Sequence, residues 1–194
     1  RRGGPPAARD VFRNPDLART FETLVAAEHA ALAGGADRPT ALQAAYDAFY
    51  KGPIAAEFVR FFSSNGGLLR QADLDAYRPV WSEPVSTTYR GYKVFSSPPA
   101  SRGGLEVCLQ LNLLEGFEIT RYARGSTASL HLLAEAIKLA KSDIYPYVAD
   151  PRSTYVPVRG LLSKDFAAGR RALIDPARAI AFPGPGDLRP YDPK

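Results

Sequence analysis

Only once along this chain does the apolar pattern change from a helical period to a period of two. Val85 to Tyr89 and Tyr92 to Ser96 are β-prone runs joined by Arg90-Gly91, the spacing of a two-residue hairpin. Side chains at period two cover one face of a strand, whereas those at 3.6 cover one face of a helix. A chain with one hairpin and helical patterning nearly everywhere else is expected to be α+β and mostly helical, part of a layered protein of helices and sheet.

The helical segments are set by their punctuation. Asn14-Pro15-Asp16 offers an N-cap, a proline at the first helical position and an acid in the first turn, ahead of Leu17, Phe21, Leu24 and Val25 at helical spacing. Gly34-Gly35 ends or interrupts that helix. A second pattern through Leu42, Tyr46 and Phe49 follows Arg38-Pro39-Thr40, and Pro53 opens a third with Ile54, Phe58, Phe61 and Phe62 expected to face inward, stopped by Asn65-Gly66-Gly67. Beyond the hairpin, an apolar helix is expected from about Leu105 to Glu115, ended by Gly116. Another should run from about Thr127 to Lys141, with Leu130, Leu133, Ala134 and Ile137 on one face, and Ser163 can cap a shorter one through Phe166, Ala167 and Leu173. From Pro176 the chain turns rich in Pro, Gly and Asp, so residues 176–194 are expected to form an extended tail. With no internal repeat and no long interior linker, residues 1–194 are expected to form a single segment.

Composition narrows the function classes. A content of 45% hydrophobic and 23% charged residues fits a globular domain able to bury a core. The 194 residues contain no methionine, so the chain is expected to be one piece of a longer product. No apolar run of about 18 residues occurs, and Arg1-Arg2-Gly3-Gly4 does not open a signal peptide. The net charge of +5 comes from dispersed arginines without a basic stripe, which argues against a nucleic-acid partner. The single Cys108 reads as a small apolar packing residue.

Few residues point to chemistry by themselves. His29 and His131 fall in different helices with one cysteine elsewhere, so there is no metal-ligand spacing, and His131 with Glu135, an i,i+4 pair, reads as a surface or satisfied interior pair and not as a ligand or general base. Ser101-Arg102-Gly103-Gly104 lacks both the phosphate-loop and the dinucleotide patterns and reads as a tight strand-to-helix connection. Ser101 has no glycine two residues before it, as a hydrolase nucleophile elbow would. Asp73, Asp75, Asp143 and Asp150 are dispersed, with no spacing that marks a catalytic pair.

An ordered set of stretches carries more information. From about Phe12 to Pro193 they are Phe12-Arg13-Asn14-Pro15-Asp16-Leu17-Ala18, Phe49-Tyr50-Lys51-Gly52-Pro53-Ile54-Ala55, Asn65-Gly66-Gly67-Leu68-Leu69 and Asp73-Leu74-Asp75-Ala76-Tyr77. Then follow Tyr89-Arg90-Gly91-Tyr92, Leu109-Gln110-Leu111-Asn112-Leu113-Leu114-Glu115-Gly116-Phe117, His131-Leu132-Leu133-Ala134-Glu135-Ala136, Ala149-Asp150-Pro151 and Pro157-Val158-Arg159-Gly160-Leu161-Leu162-Ser163. Together they resemble the gamma-glutamyltranspeptidase family, in the C-terminal part of its large subunit. Two departures stand out. Glu28 to Ala45 is longer than in the shortest relatives, indicating an extended helical hairpin. Lys141-Ser142-Asp143-Ile144 stands where relatives commonly have an Ala-Asp-Arg-like run, so Ile144 is expected to deprive a nearby acid of the basic partner that such an arginine could give.

The resemblance implies an N-terminal-nucleophile hydrolase with an αββα sandwich, made as a precursor that cuts itself into a large and a small subunit. The nucleophile would be the threonine that begins the small subunit, its hydroxyl attacking and its freed amine serving as base. No catalytic residue is therefore expected in this chain, and the self-cleavage junction is expected near Lys194. The family's arginine that grips the glutamyl carboxylate would lie before the matched region, so neither Arg90 nor Arg102 inherits that role. Also implied are a small catalytic subunit as partner, gamma-glutamyl substrates such as glutathione, no cofactor or metal, and a periplasmic or extracellular location. The alternatives are an acylase for a β-lactam side chain or another amide on the same fold, or a fragment serving only in assembly.

Overall fold

The computed structural model describes residues 5–193. The chain divides into two compact units, Arg1–Val80 and Trp81–Lys194.

The first unit is helical. Helix α1 (Pro15–Ala33) starts where Asn14 accepts the Leu17 N–H at 3.0 Å, with Pro15 in the first turn. Helix α2 (Arg38–Tyr50) starts where Asp37 accepts the Thr40 N–H at 3.0 Å. The turn between them is short, so the two helices pack side by side as a hairpin, tied further by an Arg38–Glu28 ion pair. Helix α3 (Pro53–Ser64) begins behind Gly52, where a Cβ would lie 2.7 Å from the Ala48 carbonyl, so only glycine lets the chain turn this close to α2. A short α4 (Gln71–Ala76), without an apolar period to announce it, follows. Tyr50 stacks between Tyr46 and Tyr77, with ring centroids 4.4 and 4.9 Å away, and the Tyr46 hydroxyl donates to the Tyr77 carbonyl at 2.6 Å.

Within this unit the expected inward face of α3 is corrected. Phe58, Phe61 and Phe62 are 41%, 57% and 37% exposed, and the buried residue of the helix is Ala55. The close approaches of a single helical layer take small side chains, Ala41 and Ala55, and push the rings to the rim. Leu17, Phe49, Ile54, Phe58, Phe61 and Phe62 line an open groove of about 880 Å³.

The second unit holds a larger core. Strands β1 (Val85–Tyr89) and β2 (Tyr92–Ser96) pair antiparallel, Val85 opposite Ser96 and Tyr89 opposite Tyr92. Arg90 and Gly91 both take positive φ, 49° and 86°, as the turn requires. Helix α5 (Arg102–Leu114) starts three residues before Leu105, because Gly103 and Gly104 enter its first turn. A Cβ on Gly104 would lie 1.9 Å from the Ser97 carbonyl, so the strand-to-helix connection is as tight as the sequence indicated.

Helix α6 (Thr127–Tyr147) runs six residues past Lys141 and takes Pro146 into its last turn, where little ladder remains to break. Its Leu132, Ala136, Leu139, Ala140 and Ile144 join Leu105, Cys108, Leu109 and Leu113 of α5 in the core. Leu130, Leu133, Ala134 and Ile137 share another face, on which Leu130 is 55% and Leu133 40% exposed. The helix is thus apolar on two sides and covered within this unit on one. A 3-10 turn at Ile119–Arg121, helix α7 (Val158–Leu161) and helix α8 (Lys164–Arg171) complete the unit. Ser163 caps α8 through the Phe166 N–H at 3.3 Å, and the helix stops two residues short of Leu173. Among the described residues beyond Pro176 no helix or strand forms, and Leu188 and Asp192 are nevertheless buried.

Burial along α5 sets a measurable order. Leu114, 7% exposed, should lose ~2–5 kcal/mol on truncation to alanine, and half-buried Leu111 should lose less. Denaturant unfolding of the two variants would check it; equal costs would mean that α5 packs in another rotation.

Candidate functional site

The polar side chains of the second unit converge on the segment after Pro176. Asp143 of α6 is fully buried. Its Oδ1 accepts the Gly186 N–H at 2.7 Å, and its Oδ2 accepts from Arg170 Nε of α8 at 2.9 Å. Arg170 also donates to the Gly184 carbonyl at 2.8 Å and to the Ser142 hydroxyl at 3.3 Å, while Ser142 donates to the Pro183 carbonyl at 2.7 Å. Burial pushes the Asp143 carboxyl above the ordinary aspartate value, against the pull of the Gly186 N–H and the Arg170 guanidinium. Gly186 has no room for a side chain, since a Cβ would lie 2.6 Å from the Phe166 ring.

Two more buried acids hold the same segment. Glu135 of α6 pairs with Lys138 at 2.6 Å and accepts the Ile180 N–H at 3.3 Å. Asp192 accepts the Gly160 N–H at 3.1 Å, the Tyr155 hydroxyl at 2.9 Å and Arg159 at 3.3 Å. Burial opposes charge on Asp192, but these three donors outweigh it and hold the carboxyl below its ordinary value. A Cβ on Gly160 would come within 2.8 Å of the Asp192 Cβ, so this glycine is what lets the carboxylate reach α7.

A second polar junction braces the hairpin. Glu115 accepts from Lys164 Nζ at 2.6 Å and from the Arg90 N–H at 2.7 Å, which offsets the strained turn. Lys164 and then the Arg90 N–H hold the Glu115 carboxyl below its ordinary value. Asn112, 1% exposed, accepts from the Thr87 hydroxyl at 2.6 Å and donates to the Leu162 carbonyl at 3.0 Å, so α5 ties β1 to the end of α7.

The other residues that the sequence brought forward serve local structure. Asp73 accepts the Arg70 N–H at 2.8 Å, Asp75 takes Gln71 at 2.9 Å, and Asp150 grips Arg152. His131 Nε2 faces the Asp175 carbonyl at 2.8 Å, so it and Glu135 are each satisfied by a different partner; His29 is exposed on α1. Ser101 meets the Ser97 hydroxyl at 3.3 Å, Arg102 lies 4.4 Å above the Tyr145 ring, and Arg90 donates to the Phe117 carbonyl at 2.9 Å. Cys108 is fully buried, and burial raises its thiol pKa, the opposite of activation. Among the described residues no group of three or more His, Cys, Asp and Glu is placed to hold a metal. No described helix is long and apolar enough to cross a membrane. Lys194, where the junction is expected, lies outside the described residues.

Ile144 supplies no basic partner, as it sits fully buried in the core, and the nearby acid Asp143 takes one from Arg170, 27 residues downstream. The sequence carried a signal for this in the Ser142-Asp143 pair interrupting an apolar helical run, but nothing in it named Arg170.

The family model for gamma-glutamyltranspeptidase matches residues 1–194. The chain belongs to the gamma-glutamyltranspeptidase family. It is 40% identical to the glutathione hydrolase proenzyme of Escherichia coli K12 over 75% of this chain and 26% of that protein. It is 43% identical to the Acylase ACY 1 proenzyme of Pseudomonas sp. strain SE83 over 70% of this chain and 24% of the relative. The chain therefore spans about a quarter of the curated relatives it matches. Among solved structures, Helicobacter pylori gamma-glutamyltranspeptidase matches with a TM-score of 0.68 and 29% identity over 88% of this chain and 44% of that one. Cephalosporin acylase of Bacillus halodurans matches with 0.65 and 38% identity over 78% and 27%. The mostly helical chain with one hairpin is thus part of the fold that this family of hydrolases and transferases shares.

The lowered Asp192 carboxyl gives a pH signature. Its contribution to stability is fully present above the unfolded aspartate value of about 3.9 and is lost as the pH falls through the lower folded value. Asp192→Asn should cost about 1–3 kcal/mol at pH 7 in urea unfolding, a deficit that shrinks below pH 4. A deficit independent of pH would mean that the carboxylate's charge has no part in holding the segment.

Proposed function

We propose that this chain is the C-terminal part of the large subunit of an enzyme that cleaves gamma-glutamyl amides, such as glutathione, through an acyl-threonine ester. The chain supplies scaffold and subunit interface. Its helices form part of one helical layer of an αββα sandwich, and its hairpin belongs to the sheet. A small subunit from the same precursor brings the threonine, whose hydroxyl attacks the amide carbonyl while its own amine takes the proton and passes it to the departing amine as the C–N bond breaks; the acyl group then passes from the ester to water or an amino acid.

The observation that carries this reading is the match of the family model along the whole sequence. The chemistry of the described side chains supports it. The buried acids Glu135, Asp143 and Asp192 and the buried Asn112 are each taken up by main-chain or ion-pair partners that hold the fold. The open apolar faces of α6 and α3 suit a scaffold that packs against further layers. Proenzyme is also the word in the names of both the hydrolase and the acylase relatives.

A second reading stands on a specific likeness. The 43% identity to the Acylase ACY 1 proenzyme and the structural match to a cephalosporin acylase favour an amide acylase on the same scaffold. The mature two-subunit enzyme should release an aniline from a gamma-glutamyl anilide, while the purified 194-residue chain alone turns over nothing. Deacylation of a cephalosporin without gamma-glutamyl cleavage would decide for the acylase. Turnover by the isolated chain would overturn the scaffold role, and changing to alanine the threonine that begins the small subunit should leave one uncut, inactive polypeptide.

A further inference from the structure

Helix α6 carries a polar stripe that reads main chain. His131, Glu135, Lys138 and Ser142 recur at intervals of four, three and four residues and so share one face; Asp143 and Tyr147 continue around the helix. His131 Nε2 reaches the Asp175 carbonyl at 2.8 Å. Glu135 takes the Ile180 N–H at 3.3 Å, and Lys138 gives to the Ile180 carbonyl at 2.6 Å. Ser142 gives to the Pro183 carbonyl at 2.7 Å, Asp143 takes the Gly186 N–H at 2.7 Å, and the Tyr147 hydroxyl gives to the Gly186 carbonyl at 3.1 Å. From α8, Arg170 adds the Gly184 carbonyl at 2.8 Å.

The segment being read offers little of its own. Between the buried Ile174 and Leu188 its largest side chain, Phe182, is 67% exposed beside Tyr145 and Pro146, and half-buried Ile180 is the one that touches the core. Its attachment is by polar contacts along an extended backbone, each of modest worth, while the α5–α6 core is held by close-packed leucines. Two apolar anchors, Ile174 and Leu188, keep the ends in place when the middle leaves.

We propose that residues 175–187 form a strap that α6 and Arg170 bind as they would an extended peptide, and that the strap opens as a unit while the helical core beneath stays folded. The inference rests on the geometry of this unit and stands apart from the proposed enzyme activity.

Amide hydrogen exchange of the whole protein, read residue by residue by NMR, tests it. The Ile180 and Gly186 amides, which α6 holds, should exchange at one common rate at least about tenfold faster than the amides of α5 and the buried stretch of α6. Ser142→Ala, which removes the contact to Pro183 and the Arg170–Ser142 bond but no apolar side chain of the core, should speed the strap about three- to tenfold further and leave α5 and α6 unchanged. Phe182→Ala should change neither. One common rate for strap and core in the wild type, no response to Ser142→Ala, a response of α5 along with the strap, or a strap freed as much by Phe182→Ala would each overturn the proposal.

Discussion

A single buried carboxylate organises the second unit. Asp143 leaves water entirely, which is costly for a charge, and the cost is met by the Arg170 guanidinium on one oxygen and the Gly186 N–H on the other. Those two partners come from α8 and from the segment beyond it, so one side chain of α6 fixes where both lie. Removing Arg170 would leave an unpaired charge in the interior, which is why such pairs cannot be lost one partner at a time. The close seat of Gly186 against Phe166 follows from the same geometry: the main chain must come within reach of the carboxylate, and a side chain would prevent it.

The remaining buried polar groups follow the same rule. Asn112 joins β1 to the end of α7, Glu135 reaches Ile180, and Asp192 reaches back to Gly160. Each connects stretches far apart in sequence: Asn112 and Glu135 do so from the α5–α6 core, and Asp192 ties the C-terminal segment to α7. The proposed strap is the extreme case, a stretch held almost wholly by its main chain. The first unit is organised otherwise, by two buried alanines and a stack of tyrosines, with its phenylalanines left at the rim.

Membership of the gamma-glutamyltranspeptidase family gives these features a purpose. A chain that spans a quarter of its relatives and leaves apolar faces on α3 and α6 open is well suited to packing within a larger enzyme. Its described buried polar residues are occupied with structure, which supports the proposed division of labour in which the chemistry resides in another chain.

The sequence by itself determined the family, the hairpin and its turn, and the starts of α1, α3 and α8, because these depend on local signals: period, caps, prolines and glycines. It also determined that α6 has an apolar face at Leu130, Leu133 and Ile137. Only the tertiary structure decided that this face lies open while Leu132, Ala136 and Leu139 pack inward, since a helix apolar on two sides does not state which side meets a neighbour. The same holds for Phe58, Phe61 and Phe62, whose spacing reads as a core face until the neighbouring helix is in place. Arg170 as the partner of Asp143 was legible nowhere in the sequence. Charge pairing in the interior depends on distance in space, and the chain brings these two residues together only by packing α8 against α5, within the reach of Arg170 to α6.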